Sequence, residues 1–533
     1  MYVTGGLTDT LSSNFAAYIQ DQGEGFGRNA FNGQYVNKTD DIALRNKWLF
    51  SPSTATQVKL TLDYERTSFA PAYVPAPGTT PLGGPPYTGP TQGLDGYYQP
   101  HGLTNQGGVS LQIDHDLSFA HFVSITAYRD TSTDAAFDGA LTTDYDYTLN
   151  LELFETHKQA SQEFQLRSPT DSAVQWVTGV YLFYADAAWS PIVAEGGLLA
   201  PYSYADTYSD QKSYSPAIFG QATKKLSSDT NLTLGLRYTA ERRTFDGSEV
   251  LGVPNGPPIS AGSTEAQETF QKPTWRISLD HHFTSDLMSY ISYNRGFKSG
   301  GFNDSLVPTV AFSPETLDDY EIGSKADLAN HHLRIDMAAF YYNYKNLQEV
   351  RYPDGIEDIF NAPAARIYGL DFDLKAAPIR NLIATMGFEA LHDAYTSFPD
   401  APYSTPAPIP PGGTNYSTAN VDGNHLPQTP NWTADFSLEY VVPTAIGDMT
   451  ANFAYSYDGG WYAEADNRLR QPAYSLINGQ IEWSSPDDTM SVTFWGHNLL
   501  NEAYLTALDS QANGDFGQYA PPRTFGVTFR RNF

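Results

Sequence analysis

The chain has 533 residues and a formal net charge of −29, from 60 acidic and 31 basic residues. This excess of acid argues against nucleic acid as a partner, because a phosphate-binding surface needs clustered Lys and Arg. The absence of cysteine excludes disulfides and cysteine-ligated metals. Aromatic residues make up 14% of a chain whose mean hydropathy is only −0.40. A membrane β-barrel reconciles these two values, because one face of each strand meets lipid and the other meets water.

Strict alternation of apolar and polar residues recurs along the whole chain and predicts strands rather than helices. The predicted strands run about 12–19 residues, which exceeds the ~9–11 that cross a tilted bilayer. The apolar face often finishes in Tyr or Trp, as in the aromatic girdles of membrane barrels. In chain order, clear examples are 58–65, 109–114, 232–241, 275–280, 290–298 and 453–458.

The connections between these strands alternate in length. Short turns are predicted near Leu7–Thr10, Ser51–Ala55, Asp116–Ser118, Ser168–Ala173, Leu226–Asp229, Phe283–Asp286, Leu328–His331, Ala377–Asn381, Pro443–Asp448 and Ser484–Asp488. Long loops are predicted near Gly23–Thr39, Phe69–Thr104, Ser132–Asn150, Ala188–Asp210, Asp246–Gln267, Lys298–Glu315, Arg351–Gly355, Tyr395–Thr429, Trp461–Gln471 and Asn501–Pro521. Short turns on one rim and long loops on the other are typical of outer-membrane barrels, with the short turns in the periplasm.

The predicted fold class is therefore all-β, a transmembrane antiparallel barrel. About 21 strands are counted, beginning with the short segment Tyr2–Leu7. Bacterial single-chain barrels have an even number of strands, so we expect a complete version with 22 and one ascending strand missing here. The alternative, a soluble propeller, is disfavoured because its blades repeat at ~40–45 residues and no such repeat is found.

Six segments resemble the recurrent strand motifs of TonB-dependent outer-membrane receptors. They are YNRGFKSGGFN (Tyr293–Asn303), ETLDDYEIGSK (Glu315–Lys325), AAFYYNYKNLQ (Ala338–Gln348), ARIYGLDFDL (Ala365–Leu374), NLLNEAY (Asn498–Tyr504) and PRTFGVTFRRNF (Pro522–Phe533). The resemblance spans residues 1–533 but only the barrel part of the family architecture. It implies that a secretory signal, a TonB box, an N-terminal plug and the first strand are missing from this chain, through truncation or because the plug lies on another chain.

The family resemblance implies energised uptake of a scarce ligand such as a ferric siderophore, with contacts made by extracellular loops. Candidate ligand contacts are Tyr97, Tyr98, His101, Lys298, Trp461 and Tyr462. Aromatic platforms with a polar tip suit planar ligands, although ordinary loop packing and a solvated rim charge at Lys298 remain open. In Ser132–Asn150, four aspartates are spaced in a way that suits calcium, but a solvated acidic loop is the favoured interpretation.

Polar residues on the inner face are expected to contact either a plug or water in the lumen. The candidates are Asp63, Glu65, Arg237, Glu241, Arg276 and Asp280. The last strand resembles the family's terminal strand, which implies an outer-membrane insertion signal at Phe525, Val527, Phe529 and Phe533. Arg531 departs from that pattern, because an apolar or aromatic residue is common at its position.

The function expected from these observations is that of a TonB-dependent receptor barrel in the outer membrane of a Gram-negative bacterium. Its expected partners are outer-membrane lipid and lipopolysaccharide, the barrel-insertion machinery, the TonB complex through the plug, and a small-molecule ligand. No cofactor is expected, and H-E-x-x-H, G-x-S-x-G and Walker A patterns are absent from the sequence. A passive porin is the alternative, although porins typically have 16–18 strands, and a barrel enzyme is the least favoured possibility.

Overall fold

The structure is a computed structural model that describes residues 1–351 and 358–533. The loop predicted at Arg351–Gly355 therefore lies almost entirely outside the described residues. The described residues include two 3₁₀ turns, at Tyr145–Tyr147 and Gly197–Leu199. The strands are β1 (Tyr2–Thr8), β2 (Leu11–Gln20), β3 (Gly27–Arg28), β4 (Tyr35–Val36), β5 (Lys38–Ser53), β6 (Thr56–Ala70), β7 (Val74–Pro75), β8 (His101–Asp116), β9 (His121–Asp138), β10 (Asn150–Arg167), β11 (Val174–Glu195), β12 (Tyr204–Tyr214), β13 (Ala217–Lys225), β14 (Thr230–Gly252), β15 (Ile259–Thr284), β16 (Leu287–Lys298), β17 (Gly301–Phe302), β18 (Ala311–Phe312), β19 (Glu315–Leu328), β20 (Leu333–Arg351), β21 (Asp358–Ala376), β22 (Leu382–Ser397), β23 (Ala401–Pro406), β24 (Thr414–Ala419), β25 (Trp432–Thr444), β26 (Gly447–Asp458), β27 (Trp461–Tyr462), β28 (Arg470–Gln471), β29 (Tyr474–Ser484), β30 (Met490–His497), β31 (Leu505–Gln511), β32 (Gly514–Tyr519) and β33 (Thr524–Arg531).

Among the described residues, one antiparallel sheet contains 22 of these strands, and the others form small sheets within the loops. Strands β12 and β13 lie end to end between β11 and β14, separated by Ser215 and Pro216. The two together therefore make one crossing, and the sheet has 21 crossings in the part of the chain described. The predicted all-β fold and the predicted count of 21 are both confirmed.

The two faces of the sheet separate as the alternation predicts. On β14, Leu234 is 50% exposed and Leu236 is 61% exposed on the outer face, while Thr239 is buried on the inner face. Ile322 on β19 and Leu370 on β21 are likewise 58% exposed. Apolar side chains that face outward around a single-layered sheet, instead of meeting a second sheet, are typical of a barrel in lipid.

An aromatic girdle marks the upper edge of this apolar band. Its rings stack from strand to strand, with centroids 4.7 Å apart for Tyr293 and Tyr320, and 6.4 Å for each of the next two pairs. The row continues through Tyr341 and Tyr368 to His392, whose ring centroid lies 5.2 Å from that of Tyr368. This is the level at which amphipathic rings meet the membrane interface.

The two ends of the sheet come together at the outer rim. Within the residues described, β1 pairs only with β2 and β33 only with β30. Above this seam, however, β7 from the N-terminal side pairs with β32 from the C-terminal side. The sheet is thus curved into a barrel whose first and last strands are linked by loop contacts rather than by a ladder.

Two of the predicted long loops are mostly strand. In the predicted loop Asp246–Gln267, β14 continues to Gly252 and β15 begins at Ile259; Ala188–Asp210 is similarly occupied by β11 and β12. These hairpins rise above the girdle, where neither face meets lipid, so their alternation carries no apolar signal. The short turns are found where predicted, with positive φ at Asn381, Gly447 and Asp488. No helix in the described residues is long and apolar enough to cross a membrane.

Candidate ligand-binding loops and lumen wall

The outer loops pack on one another and form a layer with its own apolar clusters. One cluster contains Tyr395, Phe398 and Leu426, and a second contains Trp461, Leu469 and Leu505. A third joins Val36, Leu94, Leu141 and Phe516, which come from four different connections. The loops are therefore preorganised, which reduces the entropy lost when a ligand binds.

Arg468 is the polar hub of this loop layer. Its Nη1 and Nη2 each donate a 2.7 Å hydrogen bond to Asp515, which is completely buried. Its Nε donates to Ser404 Oγ at 2.8 Å, and Asp515 Oδ2 also accepts from Thr79 N at 2.6 Å. Four loops, those containing residues 79, 404, 468 and 515, are thus joined through the Arg468 guanidinium group and the Asp515 carboxylate.

Glu464 and Asp509 are carboxyl groups of the loop layer whose pKa values are raised. Burial raises the pKa of Glu464 to about 8 and that of Asp509 to about 6. Glu464 Oε1 accepts a 3.0 Å hydrogen bond from Ser510 N, and the charged groups around it are Asp466, Asp509 and Arg468. The folded loop layer therefore retains protons that an exposed carboxyl has lost at the same pH.

We expect the loop layer to become less stable as pH rises. Because the folded state binds more protons than the unfolded state between the ordinary carboxyl pKa and about pH 8, the stability conferred by proton retention is lost over that interval. Hydrogen exchange of the loop amides, corrected for the intrinsic rate at each pH, should show stronger protection at pH 5.5 than at pH 8.5. Glu464→Gln keeps the acceptor for Ser510 N without the titrating proton, so it should flatten the profile; an unchanged profile would contradict the assignment.

Three loops bring four aromatic rings together, and we call Phe31, Tyr97, Tyr98 and Tyr145 the aromatic platform. The Tyr97 ring centroid lies 5.3 Å from Phe31, 5.1 Å from Tyr98 and 5.9 Å from Tyr145. Phe31 is 52%, Tyr97 38% and Tyr145 58% exposed. Such large exposed rings on a rigid support present a surface for a planar ligand.

Two buried polar side chains position the aromatic platform. Asn29, with no exposed surface, donates from Nδ2 to Gly96 O at 3.0 Å and to Tyr98 O at 3.3 Å. The Asp138 carboxylate is 5% exposed and accepts from Tyr98 N at 3.0 Å. The segments that carry the rings are therefore fixed by hydrogen bonds that run between loops rather than within them.

The structure places the other predicted ligand contacts elsewhere. His101 is exposed at the start of β8, and Lys298 is exposed at the end of β16. Trp461 is only 8% exposed inside the second apolar cluster, so it packs loops together. The Tyr462 ring stacks on His425 with centroids 5.5 Å apart. Of the six predicted contacts, only Tyr97 and Tyr98 belong to the aromatic platform.

The aspartates of Ser132–Asn150 do not gather into one site. The Asp138 carboxylate is occupied by backbone N–H groups, and Asp144 caps the turn at Tyr145–Tyr147. Among the described residues, no group of three or more His, Cys, Asp or Glu side chains is arranged to hold a metal ion.

The predicted lumen residues face inward, and most of them contact another side chain of the inner face, on the same strand, the next strand or the strand beyond it. Asp63 pairs with Arg129 at 3.0 Å, Glu65 accepts from Gln106 at 2.6 Å, and Glu241 accepts from Arg243 at 2.6 Å. Asp280 accepts from Asn231 at 2.7 Å. The Arg237 guanidinium lies 5.4 Å from the Tyr181 ring centroid. Arg276 acts electrostatically on Asp319.

Sequence reasoning missed a denser group of carboxylates on the inner face of β19 to β25. We call these residues the carboxylate wall; they are Asp319, Glu321, Asp371, Asp373, Glu389 and Asp435. Asp371 lies directly opposite Glu389. Asp336 lies directly opposite Asp373, but it also pairs with Arg334 at 3.1 Å. Like charges placed opposite each other across strands are destabilising. Asp319 Oδ1 is buried without a hydrogen-bond partner. Two of the motifs quoted for the family contain these acids, but only the strand register shows that they converge.

The last strand presents its apolar residues outward. Phe525, Val527 and Phe529 are 68%, 62% and 64% exposed on β33, and Phe533 lies just beyond the strand. Arg531 lies opposite Met490, and its guanidinium carbon is 4.9 Å from the Phe533 ring centroid.

A sheet of 21 crossings with an apolar outer face, a polar lumen and a packed loop layer defines a receptor-type outer-membrane barrel. The chain matches the family model "TonB dependent receptor-like, beta-barrel" over residues 47–499. It belongs to this family, whose members are outer-membrane proteins of Gram-negative bacteria.

The relatives share the barrel at low sequence identity. The chain is 22% identical to the pesticin receptor of Yersinia enterocolitica over 324 residues, which is 60% of this chain and 43% of that protein. It thus spans less than half of the length of that curated relative. The crystal structure of the ferric yersiniabactin uptake receptor FyuA from Yersinia pestis superimposes on this chain with a TM-score of 0.82 and 18% sequence identity. The match covers 100% of this chain and 77% of the FyuA chain. The match to the ferric-catecholate import receptor Fiu from K12 E. coli, in its closed form, has a TM-score of 0.73 and 15% sequence identity. It covers 100% of this chain and 79% of the Fiu chain. At these identities the likeness shows the fold.

Proposed function

We propose that this chain is the barrel of a TonB-dependent receptor that takes up a scarce ligand, such as a ferric siderophore, across the outer membrane of a Gram-negative bacterium. The observation that carries the proposal is the aromatic platform, Phe31, Tyr97, Tyr98 and Tyr145, exposed within a packed loop layer on a barrel of this family. The similar proteins named above are described as receptors for pesticin, ferric yersiniabactin and ferric catecholates. This similarity supports binding and passage of a ligand rather than its chemical conversion.

The carboxylate wall supports a basic partner inside the lumen. Its opposed acids, such as Asp371 and Glu389, are destabilising without nearby cations. A plug domain that presents Lys and Arg to this wall would neutralise them, and would also keep so wide a barrel from leaking. We therefore propose a plug that couples to the TonB complex, supplied by a segment upstream of the barrel or by a second chain.

The unpaired edges of β1 and β33, which face each other at the seam of the barrel, support the proposal that one additional strand lies between them. Both strands are largely exposed and, among the described residues, each has a partner on one side only. In lipid, unpaired backbone N–H and C=O groups cost several kcal/mol each. One ascending strand would satisfy both edges and bring the count to the even number of bacterial barrels. Phe525, Val527 and Phe529 would then face lipid and remain available to the insertion machinery.

Uptake by cells tests this function. Cells that produce the complete gene product are given ⁵⁵Fe-labelled siderophores of catecholate, phenolate and hydroxamate type. Accumulation of at least one of them should stop when TonB is deleted or the proton gradient is collapsed. Energy-independent passage of small solutes, together with a steady open-channel current in planar bilayers, would instead identify a porin.

Removing rings from the aromatic platform should weaken ligand binding. We expect Tyr97→Ala with Tyr98→Ala to reduce affinity for the transported ligand about tenfold to hundredfold, because two aromatic contacts are lost. Tyr202→Ala is the matched control, since Tyr202 is 36% exposed in another loop. Equal affinity of the double variant and the control variant would show that the platform does not bind the ligand.

A further inference from the structure

His425 is a histidine of the loop layer whose backbone and ring are both held in place. Its backbone N donates to Asn467 Oδ1 at 2.8 Å, and its carbonyl oxygen accepts from Asn467 Nδ2 at 2.9 Å. The Tyr462 ring stacks on the His425 ring, with the two planes inclined by 15°. The imidazole is therefore preorganised, so little further entropy is lost when its free nitrogen binds a partner.

The carboxylate of Asp393 determines which nitrogen of His425 is free. Asp393 is fully buried, and its Oδ1 accepts from His425 Nδ1 at 2.8 Å. Its Oδ2 accepts from Leu426 N, and from Thr429 Oγ1 at 2.8 Å. A carboxylate only accepts hydrogen bonds, so Nδ1 carries the proton and Nε2 of the neutral imidazole keeps its lone pair. Metal-ligating histidines are oriented by carboxylates in this way.

A second histidine lies beside the first. His392 precedes Asp393 on β22 and lies opposite Tyr368, at the end of the girdle row on the outer face. Its ring centroid is 6.4 Å from that of His425, and its nitrogens have no hydrogen-bond partner among the residues described. Two metal–nitrogen bonds of about 2.0–2.1 Å place the centroids of two imidazoles about 5–6 Å apart. Rotation of the His392 side chain, which is exposed, closes the difference.

Two imidazoles select the kind of ion that such a pair binds. Imidazole nitrogen suits Zn²⁺, Ni²⁺ and Cu²⁺, whereas Ca²⁺ and Mg²⁺ take oxygen ligands. Two protein ligands are fewer than the three or four of catalytic and structural zinc sites. This number agrees with the absence of a three-ligand group from the described part of the chain. Water completes the coordination, and the ion exchanges with the solution.

We propose that His392 and His425 bind one divalent transition-metal ion, such as Zn²⁺, and that the ion joins the loop before β25 to the barrel wall. Asp393 is the positioning residue of this site, because it acts on the ion only through His425. His392 projects from the outer face of β22, so the ion lies outside the lumen and off the path of a transported ligand. The inference goes beyond the proposed function, since the ion stabilises the loop layer and is not cargo.

Hydrogen exchange of the full chain in detergent micelles, with and without Zn²⁺, tests the site. At about ten times the concentration of half-maximal effect, Zn²⁺ should slow exchange of the amides of 391–397 and 421–430 about tenfold, because it binds only the closed arrangement. His392→Ala and His425→Gln should each abolish the slowing, and the double variant should lose no more, since both side chains hold one ion. Each variant is compared with itself without metal, so a loosened loop does not imitate loss of the ion.

Two controls accompany these variants. His497 is an exposed histidine whose ring stacks on Trp495, with centroids 5.0 Å apart, and His497→Ala should keep the full effect of Zn²⁺. Mg²⁺ should slow exchange in neither segment. Equal slowing in His392→Ala and His497→Ala would overturn the proposal, as would equal slowing by Mg²⁺ or unchanged exchange of the unmodified chain in Zn²⁺. Failure of energised uptake in cells, with the Zn²⁺ effect intact, would count against the proposed function alone.

Discussion

Replacing Arg468 with methionine is expected to open the loop layer while leaving the barrel intact. The substitution leaves the Asp515 carboxylate, which has no exposed surface, with Thr79 N as its main remaining donor. Removing one partner of a buried ion pair costs about 3–5 kcal/mol, because the other charge remains buried and uncompensated. Arg468 also donates to Ser404 and Ser510, so contacts between loops are lost with it.

Hydrogen exchange separates this effect from global unfolding. Amides of 71–100 and 505–519 should exchange about a hundredfold to a thousandfold faster in Arg468→Met, while amides of the transmembrane strands should keep their protection. Arg470→Ala is the matched control, since Arg470 is exposed on the same loop and only stacks on Tyr462. Adding Asp515→Asn to Arg468→Met removes the buried charge and should restore much of the protection. If Arg468→Met and Arg470→Ala accelerate exchange equally, Arg468 is not the hub.

The barrel could be predicted from sequence because its information is local. Alternation on 232–241 fixes which residues face lipid, and a turn with a residue such as Asn381 in the left-handed region fixes where a strand reverses. Barrel strands that follow one another in the sequence pair antiparallel in the sheet, so the order of strands can be predicted without knowing any long-range contact. The interruption between β12 and β13 did not disturb the count, because both halves lie on one crossing.

The loop layer could not be predicted, because its contacts join distant parts of the chain. Thr79 and Asp515 are 436 residues apart, and Asn29 and Gly96 are 67 apart. Thr79 and Asp515 meet only because the sheet curves and brings its ends together, and no local pattern encodes that curvature. Asn29 and Gly96 lie in the loops of adjacent hairpins, and no local pattern encodes how those loops pack on each other. Tyr97 and Tyr98 were found as exposed aromatics in a Pro- and Gly-rich loop, whereas Phe31 and Tyr145 belong to other loops and gave no signal of their own.

The carboxylate wall lies between these two cases. Alternation places Asp371 and Glu389 on the lumen face, but sequence alone does not show that they lie opposite each other. Their register depends on the turn between β21 and β22, and a shift of one residue would move every side chain to the other face. The family motifs that contain Asp319, Glu321, Asp371 and Asp373 predict strands, but they do not by themselves predict which side chains these acids face.

The substitution Leu234→Arg is expected to destabilise the barrel by about 2–4 kcal/mol. The substitution Thr233→Arg should destabilise it by about 1 kcal/mol or less, which is comparable with the loss of the hydrogen bond between the Thr233 and Thr223 hydroxyl groups. Leu234 is 50% exposed on the outer face, within the apolar band below Tyr238. Thr233 is its neighbour in sequence but faces the lumen, where its Oγ1 lies 2.8 Å from that of Thr223. A charge in hydrocarbon loses its hydration, while a charge in the lumen keeps water or meets the acidic interior.

Equilibrium unfolding in lipid vesicles by guanidinium chloride, followed by tryptophan fluorescence, measures both free energies. Leu234→Ala separates the loss of the leucine side chain from the gain of charge, and it should account for only part of the effect at position 234. A soluble arrangement, in which the apolar faces meet inside the protein, predicts that Leu234→Ala alone destabilises by as much as a core truncation does. Equal destabilisation by Leu234→Arg and Thr233→Arg would mean that the two faces of β14 meet the same environment, which is incompatible with a barrel in lipid.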